Sequence, residues 1–131
     1  MKTTPISNHS EIGRLNTVII HQPGPEMENM TPETAHEVLF DDIISLDLAL
    51  TEHAQLSGVL NKVCGDVLEF ETLLADILAD ERTKLDLLEA VCRLHRQQPL
   101  VDDLMELAAP KLAAQLFQGT LMVKNNLEKF L

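Results

Sequence analysis

The chain contains no Trp and no Tyr, and four Phe make up its whole aromatic share of 3%. Any core must therefore be mainly Leu, Val, Ile and Ala. Basic residues are also few: 10 Lys and Arg against 21 Asp and Glu leave a formal net charge of −11. Neutralising phosphates takes clustered Lys and Arg, so this balance argues against nucleic acid as a partner. Acidity keeps a chain soluble and can steer a cationic ligand, but by itself it says no more. No apolar run approaches the roughly 18 residues of a membrane span, so no membrane association is expected. The opening "MKTTPISNHSEIG" lacks the apolar stretch of a signal peptide. Two cysteines, Cys64 and Cys92, show neither metal nor redox spacing. Together these point to a cytoplasmic protein with reduced thiols. The five histidines, His9, His21, His36, His53 and His95, include no HExxH pattern, and no metal is expected.

What is present suits one domain, or a module of a larger one: 131 residues, 45% of them apolar. Residues 1–9 form a polar lead-in. Leu15–Gln22, "LNTVIIHQ", is rich in β-branched residues without clean alternation, as in a strand covered on both faces. "PGPE" stops it. Thr31 before Pro32 caps a short helix that ends near "LFDD". Leu46, Ala49, Leu50, His53, Leu56, Leu60 and Val63 recur at three- and four-residue steps, which predicts a helix with one apolar stripe. Gly65 follows as its terminator. Asp66–Glu71, "DVLEFE", alternates like a strand. Strand, helix, strand points to an α/β unit. From Thr72 onward the pattern is helical: four or five short helices, two of them opened by Pro99 and Pro110, one ended by Gly119.

Few residues here suggest chemistry. Cys64 lies between the predicted helix and strand, but a nucleophilic thiolate needs a base within reach and no histidine is near in sequence. Cys92 sits on an apolar helical stripe and is read as a core filler. His53 and His95 also fall on apolar stripes and are read as core histidines. "LFDD" is harder to account for. Asp41 and Asp42 could cap the following segment, but capping does not explain Leu39 and Phe40 placed directly before them. Propensity also leaves Glu11, just ahead of the first strand, unexplained.

Those residues belong to a longer block. "SEIGRLNTVIIHQPGPEMENMTPETAHEVLFDD", Ser10 to Asp42, resembles the amino-terminal part of arginine deiminases. The family pattern there runs Ser-Glu-x-Gly-x-Leu, a strand, Pro-Gly, Leu-Thr-Pro, then Leu-Leu-Phe-Asp-Asp. Met30 and Val38 depart from it, both conservatively. Glu52–His53, "VLEFETLLADIL" and "APKLAAQLFQGTL" are also similar to that family, so the resemblance covers about residues 9–122.

The resemblance implies hydrolysis of L-arginine to citrulline and ammonia without metal or cofactor. The implied fold is a five-bladed α/β propeller of ββαβ modules with a helical insertion. Residues 10–71 would begin the first blade and 72–131 would form the insertion, an α-rich α/β arrangement. Leu39 matches the position whose backbone carbonyl contacts the substrate amino group, Phe40 shapes that loop, and Glu11 matches an acidic residue near the site. The family's nucleophilic cysteine, its histidine and its two guanidinium-gripping carboxylates have no counterpart here, and neither Cys64 nor Cys92 matches the nucleophile. The first of those carboxylates belongs to an Asn-x-x-Phe-x-Arg-Asp type of stretch that Leu131 precedes. The expectation is thus an amino-terminal portion of a deiminase, with no catalytic residue of its own. The alternative is a stand-alone module retained for protein–protein interaction. A homo-oligomer through exposed strands is expected of either.

Overall fold

A computed structural model of the chain describes residues 6–10, 12–29 and 45–119. They form an α-rich α/β arrangement with a two-stranded parallel sheet and five helices. Strand β1 (Thr17–Ile20) leads through a 3-10 turn at Pro25–Asn29 toward helix α1 (Leu46–Val63), which returns to strand β2 (Asp66–Glu69). Four further helices follow: α2 (Phe70–Leu78), α3 (Glu81–Leu94), α4 (Val101–Met105) and α5 (Ala109–Gln118). The expected helix opened by Thr31 lies outside the described residues.

The strands run in parallel register, Thr17 beside Asp66 through Ile20 beside Glu69. Asp66 N–H opens the ladder by donating to Asn16 O at 2.9 Å. Gly65 makes that approach possible, because a Cβ there would stand 2.8 Å from Asn16 O. Gly65 does follow the end of α1 as expected, and its further role is close backbone contact. Helix α1 ends on Cys64 in extended conformation, with its N–H bonded to Leu60 O at 2.8 Å. At the other end the N-cap position is Ser45.

The fully buried core lies in the helical part. Leu78, Leu88, Leu112 and Ala113 pack together, with Leu74, Leu104 and Leu116 against them. Cys92 is buried as predicted. Lys84, only 4% exposed, is the charged member of this interior. Its Nζ donates to Met105 O at 2.6 Å and Leu107 O at 2.8 Å, satisfying carbonyls that the short α4 leaves unpaired at its carboxyl end. Helix α3 stops in a Schellman turn. Gln97 N–H reaches Cys92 O at 2.7 Å, Arg96 N–H reaches Arg93 O at 3.2 Å, and Arg96 takes the left-handed position at φ 57°.

Four sequence expectations change. The second strand stops at Glu69, two residues early, because Phe70 already opens α2 and turns its ring edge toward Phe117. His95 is exposed at the carboxyl end of α3 rather than in the core. On α1 the side turned inward carries Ser57 in place of Leu56 and Val63, which are more than half exposed. β1 is not covered on both faces, since Ile19 is 58% exposed. Among the described residues, a sheet of two strands with one crossover helix has nothing to lay on its second face.

Asp80 caps α3, its carboxylate accepting from Thr83 N–H at 2.9 Å and Thr83 Oγ1 at 2.7 Å. The Thr83 hydroxyl, and then its N–H, hold this carboxyl below the usual carboxylate range, against the opposing effect of desolvation. The depressed value means that the cap stabilises fully above the usual range and fades as pH falls through the lowered one. Asp80→Asn keeps an acceptor but does not titrate. Its melting temperature should lie below wild type at neutral pH, and the gap should close on acidification. A gap independent of pH would assign the cap no charge-dependent part.

Candidate functional site

Parallel strands present their carboxyl ends together, the place where ligands collect in α/β folds. Here His21 directly follows β1 and Glu69 ends β2, and the Pro-Gly turn after β1 brings Glu26 back toward both. His21 Nε2 stands 3.3 Å from Glu26 Oε1, and its Nδ1 stands 3.3 Å from Glu69 Oε1. Both ring nitrogens are buried and neither contact is aligned as a hydrogen bond. The pairing is thus an electrostatic approach of one imidazole to two carboxylates. Each carboxylate has a firmer partner in the backbone. Glu69 Oε1 accepts from Gln22 N–H at 3.0 Å, and Glu26 Oε1 accepts from Gly24 N–H at 2.7 Å. The turn is held from both sides.

An aromatic contact closes the cluster. The His21 ring stacks on Phe117 of α5 at 4.2 Å between centroids and 19° between planes. Phe70 meets the same ring edge-on at 5.4 Å and 74°. Of the four phenylalanines, two therefore join the helical part to the strand ends.

Two open clefts flank the cluster. One, of about 760 Å³, lies between α1 and the sheet and is lined by Ile20, Val67 and Glu69 below and by His53, Ser57 and Asn61 above. His53 Nε2 is buried there without a hydrogen-bond partner among the described residues. The other, of about 670 Å³, is bounded by the Pro23–Pro25 turn, Leu46, Leu50, Thr72 and Pro110. The described chain leaves at Asn29 and re-enters at Ser45, and Pro25 and Leu46, close to those two points, both line this second cleft.

The residues singled out from sequence, Leu39, Phe40 and Glu11, lie outside the described residues, as do Asp41 and Asp42. Cys64 is placed at the amino end of β2 and Cys92 inside α3. From Cys64 to Glu69 the extended chain runs roughly 16 Å, so Cys64 stands at the opposite end of the strand from His21. No described group of three or more His, Cys, Asp or Glu is arranged to hold a metal ion. No described helix is long and apolar enough to cross a membrane. Sequence reasoning missed His21, Glu26, Glu69 and Phe117. A histidine two positions before Pro-Gly, with a glutamate five positions on, was the local signal for two of them. Glu69 and Phe117 are 48 and 96 positions away from that histidine and gave none.

No family model matches the chain. It is 44% identical over 88 residues to an arginine deiminase of Limosilactobacillus reuteri, covering 67% of this chain and 22% of that protein. It is 49% identical over 82 residues to one of Oenococcus oeni, covering 62% and 20%. With one of Bacillus cytotoxicus the identity is 37% over 89 residues, covering 68% and 22%. The chain thus spans about a fifth of the length of the curated relatives it matches.

The two ring pairs of Phe117 should contribute about 0.5–1.5 kcal/mol each beyond area burial. Phe117→Ala also removes part-buried ring surface, so the loss of unfolding free energy in urea titration is expected to exceed the total of about 1–3 kcal/mol from the two ring pairs. An unchanged midpoint would show that the strand ends do not lean on α5.

Proposed function

Starting from a chain that is a relative of the amino-terminal part of arginine deiminases, we propose that it supplies one wall of an arginine pocket and not the groups that do the chemistry. The reading rests chiefly on the Ser10–Asp42 block, whose residue pattern matches that part of the family. In the whole enzyme the reaction is hydrolysis of the guanidinium of L-arginine to citrulline and ammonia, in the cytoplasm, without a cofactor. The Leu39 carbonyl accepts from the substrate ammonium, Phe40 holds that loop in place, and Glu11 adds negative charge near the site. Residues 10–71 are the start of the first ββαβ blade of a propeller, and 72–131 are a helical insertion. The β1–α1–β2 order supports the first part. The concentration of fully buried apolar residues in α2, α3 and α5 supports the second.

The His21 cluster then has a structural task. It fixes the Pro-Gly turn and ties β1 to α5, so one end of the stretch containing Leu39 starts from a rigid base. Positioning of this kind supplies much of catalysis, even from residues that never touch the reacting bond. A second reading is favoured by the exposure of Ile19 and the open strand edges: a stand-alone module that acts by protein–protein interaction. In either case the isolated chain is a homo-oligomer through its exposed strands.

The purified 131-residue protein should form no citrulline from arginine, because thiolate attack and the guanidinium clamp need groups that neither Cys64 nor Cys92 is placed to provide. Activity abolished by Cys64→Ala or by Cys92→Ala would overturn the reading. In a whole deiminase carrying this segment, Phe40→Ala should raise KM for arginine, since a displaced carbonyl weakens a charge-assisted hydrogen bond. Reduced stability with KM unchanged would return Phe40 to a packing role.

A further inference from the structure

The parallel ladder engages every second residue of each strand. Asn16 O accepts from Asp66 N–H, so Asn16, Val18 and Ile20 face β2, while Thr17 and Ile19 turn their N–H and C=O groups to the outer edge of β1. Among the described elements β2 alone packs extensively along β1, whereas β2 also has α1 and α2 beside it. The two edges differ in charge as well. β1 reads Thr-Val-Ile-Ile and carries none, while β2 begins with Asp66 and ends with Glu69. Proteins blunt exposed edges with charge, and β1 has no such protection. Two β2 strands paired antiparallel would set Asp66 against Glu69 of the copy. Two β1 strands would not oppose like charges.

Helix α1 carries a second apolar stripe on the same side of the unit. Leu48, Leu56, Val59 and Val63 are each more than half exposed, and the exposed Glu52 lies among them as the one charged member of the stripe. At 100° per residue they fall within an arc of about 80°, roughly 110° around from the side turned to the sheet. On the opposite flank of the helix, Ala54, Gly58 and Asn61 line the cleft floored by Ile20 and Gln22 as well as by Val67 and Glu69. A right-handed crossover, the hand that nearly all such units take, places the apolar stripe on the β1 side.

We propose that two copies of this chain join edge to edge through β1, antiparallel about a two-fold axis at Val18, into a sheet ordered β2–β1–β1–β2. Thr17 then exchanges backbone hydrogen bonds with Ile19 of the copy, and the reverse. Strands lie about 4.8 Å apart, and a crossover helix sits above the gap between its two strands. The two α1 helices therefore come to about 10 Å from each other, the distance at which helices pack. Their exposed apolar stripes meet there. Strand edge and helix flank form one continuous isologous surface, larger than four-residue strands alone could make. This rests on the homo-oligomer reading above and specifies its surface.

Sedimentation equilibrium of the whole chain at micromolar concentration, with reductant, should give twice the chain mass of 14.6 kDa. Ile19→Pro removes an outward N–H while leaving the β1–β2 ladder intact. Leu56→Lys with Val59→Lys charges the helix flank without touching the strands. Each should raise the dimer dissociation constant about tenfold or more, while Leu94→Lys, on the exposed end of α3, should not. If Ile19→Pro loses its far-ultraviolet circular dichroism, the double-lysine variant decides alone. A wild-type monomer overturns both the proposal and the oligomer reading. A dimer that survives the double-lysine variant overturns the β1–α1 surface and leaves the oligomer reading standing.

Discussion

The strand half of this molecule depends on one ring stacked on another. Neither β1, α1 nor β2 contains a fully buried residue, and a two-stranded parallel sheet is not stable on its own in water. What anchors it is His21 lying on Phe117 at 4.2 Å, a contact between the end of β1 and the last described helix. Phe70 supports the same ring from the start of α2. The βαβ unit thus borrows its stability from the helical part, where Leu78, Leu88 and Leu112 are sealed from solvent.

That dependence explains how an acidic chain uses two of its carboxylates. Glu26 and Glu69 both turn toward His21, and both also accept a backbone N–H from the turn that follows β1. Each carboxylate is given a donor by the main chain, so the cluster holds the turn even where its approach to the imidazole is not an aligned hydrogen bond. The Pro-Gly turn is consequently a fixed corner between the sheet and the stretch leading to Leu39. In the pocket reading proposed for that stretch, the corner sets where the substrate-facing carbonyl begins.

Among the described residues, the same unit is uncovered along the outer edge of β1. An uncharged strand edge and an apolar helix flank lie next to each other there, with Ile19 exposed between sheet and solvent. In the propeller reading proposed above, further strands of a longer deiminase would meet this surface. In the dimer proposed above, a second copy would supply the same things, hydrogen-bond partners for β1 and cover for α1. Either occupant satisfies one physical need, because a parallel edge with a bare crossover helix leaves backbone and apolar groups in water.

Local patterns were sufficient for the elements themselves. β-branched residues marked β1, three- and four-residue apolar spacing marked α1 and α3, and Pro99, Pro110 and Gly119 marked where helices begin and end, because these signals act within a few residues. The family kinship was equally legible, since Ser10–Asp42 carries it in residue identities rather than in shape. The sequence could not decide which side of α1 turns inward, and Ser57 displaced Leu56 because the sheet, not the helix, sets that side. Periodicity also misplaced His95, which the Schellman turn carries out to solvent, and gave no hint that Gly65 meets a carbonyl from residue 16. The His21 cluster lay beyond reach for the same reason. It joins residues 21, 26, 69, 70 and 117, and only folding brings such distant positions within contact, where charge and ring geometry then act.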